Sequence, residues 1–188
     1  MKILAVSGST RSASTNTALL RALKAIAPDN IAITVFDRVG DLPVFSPDLE
    51  GTNLPDSVRS FIKMIGDCDG LLVSSPEYVR SIPGGLKNAI DWLVSGDQIV
   101  DKPIALAHAS HRGDEMLEAL RTVLSTVSSG FNVTLFFRIA LIKETPEAIH
   151  DILKVPANRL AAERFLNEFS TFCRQRKSDQ PAFVITPD

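Results

Sequence analysis

The chain has 188 residues, with 20 Lys and Arg against 22 Asp and Glu, for a formal net charge of −2. Hydrophobic residues make up 45% and charged residues 22%, which excludes a disordered or fibrous chain and suits one domain over 1–188 with a tail at 175–188. The charge balance lacks the basic surplus that a nucleic-acid binder needs, and two cysteines cannot build a disulfide scaffold.

The opening MKILAV is too short for a signal-peptide core or a membrane span, and later apolar runs are also short. A cytoplasmic protein without a membrane partner is expected, with Cys68 and Cys173 as reduced packing thiols. Residues 2–6 form a short apolar run that ends in Ser7-Gly8-Ser9, which predicts a buried strand entering a turn. Residues 16–26 read as a helix, with Leu19, Leu20, Leu23 and Ile26 on one face. Residues 31–36 alternate as a second strand. A long connection rich in Gly and Pro follows over 39–55, of the kind that often carries function. Further helices are predicted over 57–68, 83–92, 115–127 and 158–174, the last with Leu160, Ala161, Phe165, Leu166 and Phe169 as its apolar side. Strands are predicted over 70–74, 104–108 and 132–137.

Five strands alternating with five helices predict an α/β fold with a parallel sheet covered on both faces. Such sheets bind ligands outside the carboxyl ends of their strands. This directs attention to residues 7–16, 75–83 and 109–113.

The first of these loops runs Gly8-Ser9-Thr10-Arg11-Ser12-Ala13-Ser14-Thr15-Asn16. Five of its nine residues bear hydroxyls, one is Arg, and it leads into a helix. Backbone N–H groups at a helix start, short hydroxyls and a guanidinium match the charge and acceptor oxygens of a phosphate monoester. A helix cap alone needs only one such residue. Neither G-x-x-x-x-G-K-[ST] nor G-x-G-x-x-G is present, so a P-loop and a dinucleotide fingerprint are excluded. Asp37, at the end of the second strand, then reads as a turn residue rather than a ribose-binding acid.

The second segment runs from Ser75-Pro76-Glu77-Tyr78 through Ser81, Pro83-Gly84 and Leu86-Lys87-Asn88-Ala89-Ile90-Asp91-Trp92. Together with Gly8-Ser9-x-Arg11-x-x-Ser14-x-Asn16, it resembles the NADPH-dependent FMN reductase family, whose loops read G-S-x-R-x-x-S-x-N and P-E-Y-N-x-S-x-P-G-x-L-K-N-A-I-D-W. The likeness extends over about residues 1–175. It implies a flavodoxin-like, three-layer, doubly wound fold with a five-stranded parallel sheet in the order 2-1-3-4-5. It also implies bound FMN, with Ser9, Arg11, Ser14, Thr15 and Asn16 around the phosphate and Pro76, Glu77 and Tyr78 along the ring. The implied activity is ping-pong hydride transfer through FMN N5, from NADPH or NADH to a small-molecule acceptor such as a quinone, azo dye, free flavin or chromate. Self-association to a dimer or tetramer is implied as well, with the Pro83–Ala89 region near the contact.

Read from the residues alone, Tyr78 is a flat ring with a polar tip that suits a planar ligand, an interface or packing beneath its own loop. Trp92 reads as core, Lys87 and Asp91 as a surface i, i+4 pair, and Glu77 as structural rather than as a catalytic acid.

The third loop keeps the Ser110 and Gly113 that the resemblance places against the ring. It inserts His111 and Arg112, and Val79 stands where the family often has Asn. A cation at His111 or Arg112 would stabilise a reduced flavin. Alternatively, Arg80 or Arg112 would hold the 2′-phosphate of NADPH. There is no G-x-S-x-G elbow and no His pair at metal-ligand spacing, so the expected chemistry is the flavin's and no metal is predicted. The alternatives are a non-catalytic flavodoxin-type electron carrier and a redox-regulated binding protein. Flavodoxins are strongly acidic and their phosphate loop lacks an Arg, so Arg11 and the small net charge favour the enzyme. In the tail, apolar residues 182–185 would dock on another subunit or on their own.

Overall fold

The computed structural model describes residues 1–141 and 143–179. Five strands, β1 (Lys2–Ser7), β2 (Ala32–Phe36), β3 (Gly70–Ser74), β4 (Ile104–His108) and β5 (Phe131–Arg138), form one sheet in the order β2-β1-β3-β4-β5. All four neighbouring pairs are parallel. The helices are α1 (Thr15–Ala25), α2 (Asp56–Asp67), α3 (Gly84–Asp91), α4 (Asp114–Val127), α5 (Pro146–Lys154) and α6 (Pro156–Asp179). This is the expected flavodoxin-like topology.

Alternation along the strands builds two cores. Ile3, Ala5, Leu72, Ala105 and Ala107 pack on one face with Leu19 and Leu23 of α1, Ile149 and Leu153 of α5, and Phe165 and Phe169 of α6. Leu4, Val6, Leu71, Val73 and Leu106 pack on the other face with Phe61 of α2, Leu86 of α3 and Leu120 of α4. A strand covered on both faces has no polar side, which is why KILAV and GLLVS read as unbroken apolar runs.

Three features depart from the sequence reading. Helix α5 is additional: the Thr145 hydroxyl caps it by accepting from the Ala148 N–H, and Pro146 opens it, where a missing N–H costs nothing. In α6 the buried stripe is Ala162, Phe165, Leu166, Phe169 and Cys173, whereas Leu160 and Ala161 are exposed. Strand β5 is interrupted: Ile104 lies opposite Phe131 but Leu106 lies opposite Phe136. The surplus residues wrap around Asn132, whose Oδ1 accepts from the N–H groups of Thr134 and Leu135 and from the Thr134 hydroxyl. Such a bulge also protects an edge strand from pairing with another chain. The predicted docking segment 182–185 lies outside the described residues.

The strand order reverses between β1 and β3, so the loops after these strands leave toward opposite faces and a crevice opens between them. A long connection over 37–55 is held beside it. The Asn88 side chain accepts from the Phe45 N–H (2.8 Å) and donates to the Pro43 carbonyl (2.9 Å), and Trp92 Nε1 donates to the same carbonyl (2.8 Å). Trp92 also meets Phe45 edge-on at 5.1 Å. Asn88 and Trp92 of the Leu86–Trp92 motif therefore fasten this connection to α3.

Candidate functional site

The three loops predicted to carry the chemistry converge at the carboxyl ends of β1, β3 and β4. A cavity of about 260 Å³ opens among Thr15, Asn16, Pro76, Glu77, His108 and Gly113. Its first wall is the start of α1. The Ser14 hydroxyl caps that helix, accepting from the Thr17 N–H at 3.2 Å. The N–H groups of Thr15 and Asn16 belong to the first turn, which has no carbonyls of its own to bond.

Asn16 is buried and its Oδ1 accepts from the Ser74 hydroxyl at 2.9 Å, which ties α1 to the end of β3. Ser9 is also buried, and its Oγ accepts from the Arg11 N–H at 3.2 Å. Arg11 itself is exposed, and among the described residues no carboxylate pairs with its guanidinium. Gly8 admits no side chain: a Cβ there would stand 2.7 Å from Ser75 Oγ and 2.8 Å from Leu86 Cδ2.

The second wall is Pro76-Glu77-Tyr78, which ends in a tight turn. Tyr78 and Ser81 exchange both backbone hydrogen bonds, at 3.1 and 3.0 Å. Val79 and Arg80, the two central residues, have φ of 51° and 57°. A turn with both central residues left-handed favours Asn-Gly, and a β-branched residue there is strained. Val79 is also 99% exposed, so no packing compensates. Val79→Asn is expected to raise stability by about 1 kcal/mol, seen as a rise in Tm of roughly 2–4 °C. An unchanged or lower Tm would show that the turn is not strained.

The third wall is the loop from Ala109 to Gly113. His108 Nε2 lies 2.6 Å from the Arg112 carbonyl. The Ser110 hydroxyl accepts from the Arg112 N–H at 2.9 Å. Arg138, at the end of β5, donates to the Ser110 carbonyl (2.7 Å) and the Arg112 carbonyl (3.2 Å) and pairs with Asp114 (2.8 Å). Gly113 has φ 97°, and a Cβ on it would meet His108 Nε2 at 3.0 Å. The guanidinium of Arg80 pairs with Glu115 at 3.2 Å, an exposed contact linking the second wall to α4. Arg112 is exposed, with no carboxylate partner among the described residues.

The structure thus brings Ser9, Arg11, Ser14, Thr15, Asn16, Pro76, Glu77, Tyr78, Ser110 and Gly113 to one end of the sheet. Sequence reasoning gave His108 and Arg138 no part in this site. His108 carried a signal, being a histidine at the last position of a buried parallel strand. Arg138 lies one residue past the predicted end of β5. Asp37 pairs with Arg21 of α1 at 2.6 Å, which gives it a structural partner. Lys87 and Asp91 form the expected ion pair.

Two buried polar atoms of residues that line the cavity, Glu77 Oε1 and His108 Nδ1, have no hydrogen-bond partner among the described residues. Buried polar atoms without partners are uncommon and call for an explanation. Burial holds the His108 pKa below its ordinary value, outweighing the carbonyls of Arg112 and Ser75 that favour the charged ring. FMN offers a phosphate, a hydroxylated chain and a flat ring with an N–H. The start of α1 and Arg11 suit the phosphate. The residues present therefore fit the group.

A larger concavity, about 500 Å³, lies at the opposite end of the sheet. Its charges largely satisfy one another: Lys177 pairs with Asp69 at 3.4 Å, and Lys102 donates to the Cys68 carbonyl at 2.7 Å. Cys68 and Cys173, both free thiols, line it. Burial raises the pKa of both, that of Cys173 to about 12, so neither is a ready nucleophile.

The sheet order and the anion-suited first loop define a doubly wound protein with its site at the β1/β3 switch point. A profile of the NADPH-dependent FMN reductase family matches residues 1–138, and the chain belongs to this family. It is 45% identical over 92 residues to a 2-hydroxy-1,4-benzoquinone reductase of Burkholderia sp, covering 49% of each chain. It is 34% identical over 106 residues to a quinone reductase of Escherichia coli (strain K12), covering 56% of this chain and 55% of that one. The chain thus matches about half the length of these curated relatives. Its fold is similar to that of FerB, a flavoenzyme NAD(P)H:(acceptor) oxidoreductase from Paracoccus denitrificans, with a TM-score of 0.68 and 24% identity over 94% of this chain and 97% of that one.

Proposed function

We propose that the chain is an FMN-dependent NAD(P)H oxidoreductase that reduces a small acceptor of the quinone class. The observation that carries this reading is the crevice itself, an anion-suited helix start facing the loops that follow β3 and β4. Family membership supports the cofactors, and the names of the relatives support the acceptor class. When bound, FMN supplies the hydride chemistry at N5, in a ping-pong sequence from nicotinamide to acceptor.

The protein's part is binding and orientation. Arg11 and the first-turn N–H groups of α1 hold the phosphate, with Ser9, Ser14, Thr15 and Asn16 shaping the loop around it. Pro76, Glu77 and Tyr78 wall one side of the ring, and Ser110 and Gly113 wall another. Arg138 and His108 fix the third loop by holding its carbonyls. Arg112, with no carboxylate partner among the described residues, is available for the 2′-phosphate of NADPH, whereas Arg80 must first leave Glu115.

The same reading carries a cytoplasmic location, a single domain and self-association to a dimer or tetramer through the α3 flank, where Val44 and Val94 are exposed. No helix among the described residues is long and apolar enough to cross a membrane.

The test is the visible spectrum of the purified protein before and after anaerobic NADPH or NADH. A flavin spectrum that bleaches within seconds, and returns on adding a benzoquinone, is the expected result. A bound flavin that stays oxidised would make the chain a carrier. A colourless protein that does not bind added FMN would overturn the reading.

A further inference from the structure

We propose that the long connection over 37–55 positions the first loop through one contact, the Thr10 methyl seated against Gly40. This inference rests on the flavin reading above, and it makes Thr10 and Gly40 positioning residues that act through Arg11.

Two glycines converge on the same methyl. A Cβ on Gly40 would stand 2.8 Å from Thr10 Cγ2 and 3.5 Å from Thr10 Cβ. A Cβ on Gly85, in the first turn of α3, would stand 3.6 Å from the same Cγ2. The methyl therefore lies where the connection, α3 and the first loop meet. Gly51 and Gly113 have positive φ, and Gly40 does not. Its backbone would accept alanine, which would otherwise add stability by restricting the unfolded chain. The neighbouring methyl is what asks for glycine at position 40. Thr10 is otherwise exposed, and its β-branched side chain has few staggered positions to turn to.

Both sides of the contact are held. Gly40 lies in a single turn, Val39–Asp41, closed by the Asp41 N–H on the Arg38 carbonyl at 3.0 Å and bracketed by the Arg38–Asp41 ion pair at 2.7 Å. Val39 is buried, and its side chain and carbonyl would meet a Cβ on Gly85 at 3.7 and 3.8 Å, so the turn rests on α3. Further along, Asn88 and Trp92 fasten the connection at Pro43. On the loop side, the Ser9 N–H donates to Ser7 Oγ at 3.3 Å and the Arg11 N–H to Ser9 Oγ at 3.2 Å. Thr10 stands between these residues, so a displacement of Thr10 is passed to Arg11, whose guanidinium suits the phosphate. Among the described residues, the lining of the 260 Å³ cavity takes nothing from 37–55. The influence of the connection therefore falls on the phosphate end of the site.

The test moves a methyl across the contact. Dissociation constants for FMN and riboflavin are read by quenching of flavin fluorescence. Gly40→Ala adds a methyl opposite Thr10 and is expected to weaken FMN about tenfold. Thr10→Ser takes the methyl away and is expected to weaken FMN about threefold. In the double variant one methyl again fills the space, and FMN affinity is expected to return to within about twofold of wild type. Riboflavin, which lacks the phosphate, is expected to bind every variant alike, whereas a general loss of structure would move both flavins. Gly40→Ala that binds FMN like wild type, losses shared equally by riboflavin, or a double variant no tighter than Thr10→Ser would overturn the proposal and leave the flavin reading standing. The last comparison decides the matter where Gly40→Ala alone does not fold. Wild-type protein that binds neither flavin would overturn both.

Discussion

Arg11→Ala is expected to weaken FMN binding by roughly thirtyfold, the equivalent of about 2 kcal/mol for a charge-assisted hydrogen bond, and to leave riboflavin binding unchanged. Arg11, like Arg112, has no carboxylate partner among the described residues, while three other arginines near the carboxyl ends of the strands do: Arg21 has Asp37, Arg80 has Glu115 and Arg138 has Asp114. Its backbone is fixed, because its N–H is bonded to Ser9 Oγ. An exposed, unpaired guanidinium beside a helix start is placed for an anion. Riboflavin lacks the phosphate and so serves as the control. Arg11→Lys keeps the charge but loses the planar fork, and part of the affinity is expected to return. Added salt should weaken FMN more than riboflavin, because the contact is at the surface. Equal losses for both flavins in Arg11→Ala would place the guanidinium's role in the loop's conformation instead of the phosphate.

This first loop was legible because its chemistry is local. Hydroxyls, an Arg and a helix start within nine residues suffice to suggest an anion, and no distant partner is needed. Even so, the structure assigns Ser14 to the helix as its cap and ties Asn16 to Ser74, 58 residues away. The strands were legible for a related reason, since burial on both faces leaves an apolar run that periodicity cannot hide. Other features depend on contacts that no window of sequence contains. His108 shows its part only when the Arg112 carbonyl folds back on it. Arg138 reaches the third loop from a strand 28 residues further on. The β5 interruption rests on one Asn side chain replacing ladder bonds. The phase of α6 was ambiguous because Leu160 and Ala161 lie next to Ala162, and the sheet face chooses Ala162. Helix α5 did have a local signature, a Thr145-Pro146-Glu147 start followed by Ile149 and Leu153, but it is only nine residues long.

The same substitution, glycine to alanine, is expected to change stability in opposite directions at two positions. Gly130→Ala should lose about 3 kcal/mol or more, near the upper end of overpacking costs. Gly130 immediately precedes β5, where its chain passes closely over the segment before β4. A Cβ on it would stand 2.4 Å from the Lys102 carbonyl oxygen and 2.6 Å from the Lys102 carbonyl carbon. These are backbone atoms and cannot rotate away. The segment is held on both sides, with the Ile104 N–H donating to the Gly130 carbonyl at 3.0 Å, the Ser129 N–H donating to the Val100 carbonyl at 2.7 Å and the Ser128 hydroxyl donating to the Lys102 carbonyl at 2.7 Å. Relieving the clash means separating β4 from β5 at their shared start. At position 66, near the end of α2, a Cβ would meet only Gln98 Cγ, at an ordinary 3.5 Å. There alanine removes backbone freedom from the unfolded chain, and Gly66→Ala should gain about 0.5–1 kcal/mol. Thermal melts of the two variants should therefore fall on either side of wild type, lower by roughly 6–12 °C for position 130 and higher by a few degrees for position 66. A Gly130→Ala protein that melts with wild type would mean that the contact between the starts of β4 and β5 is looser than the 2.4 Å approach requires.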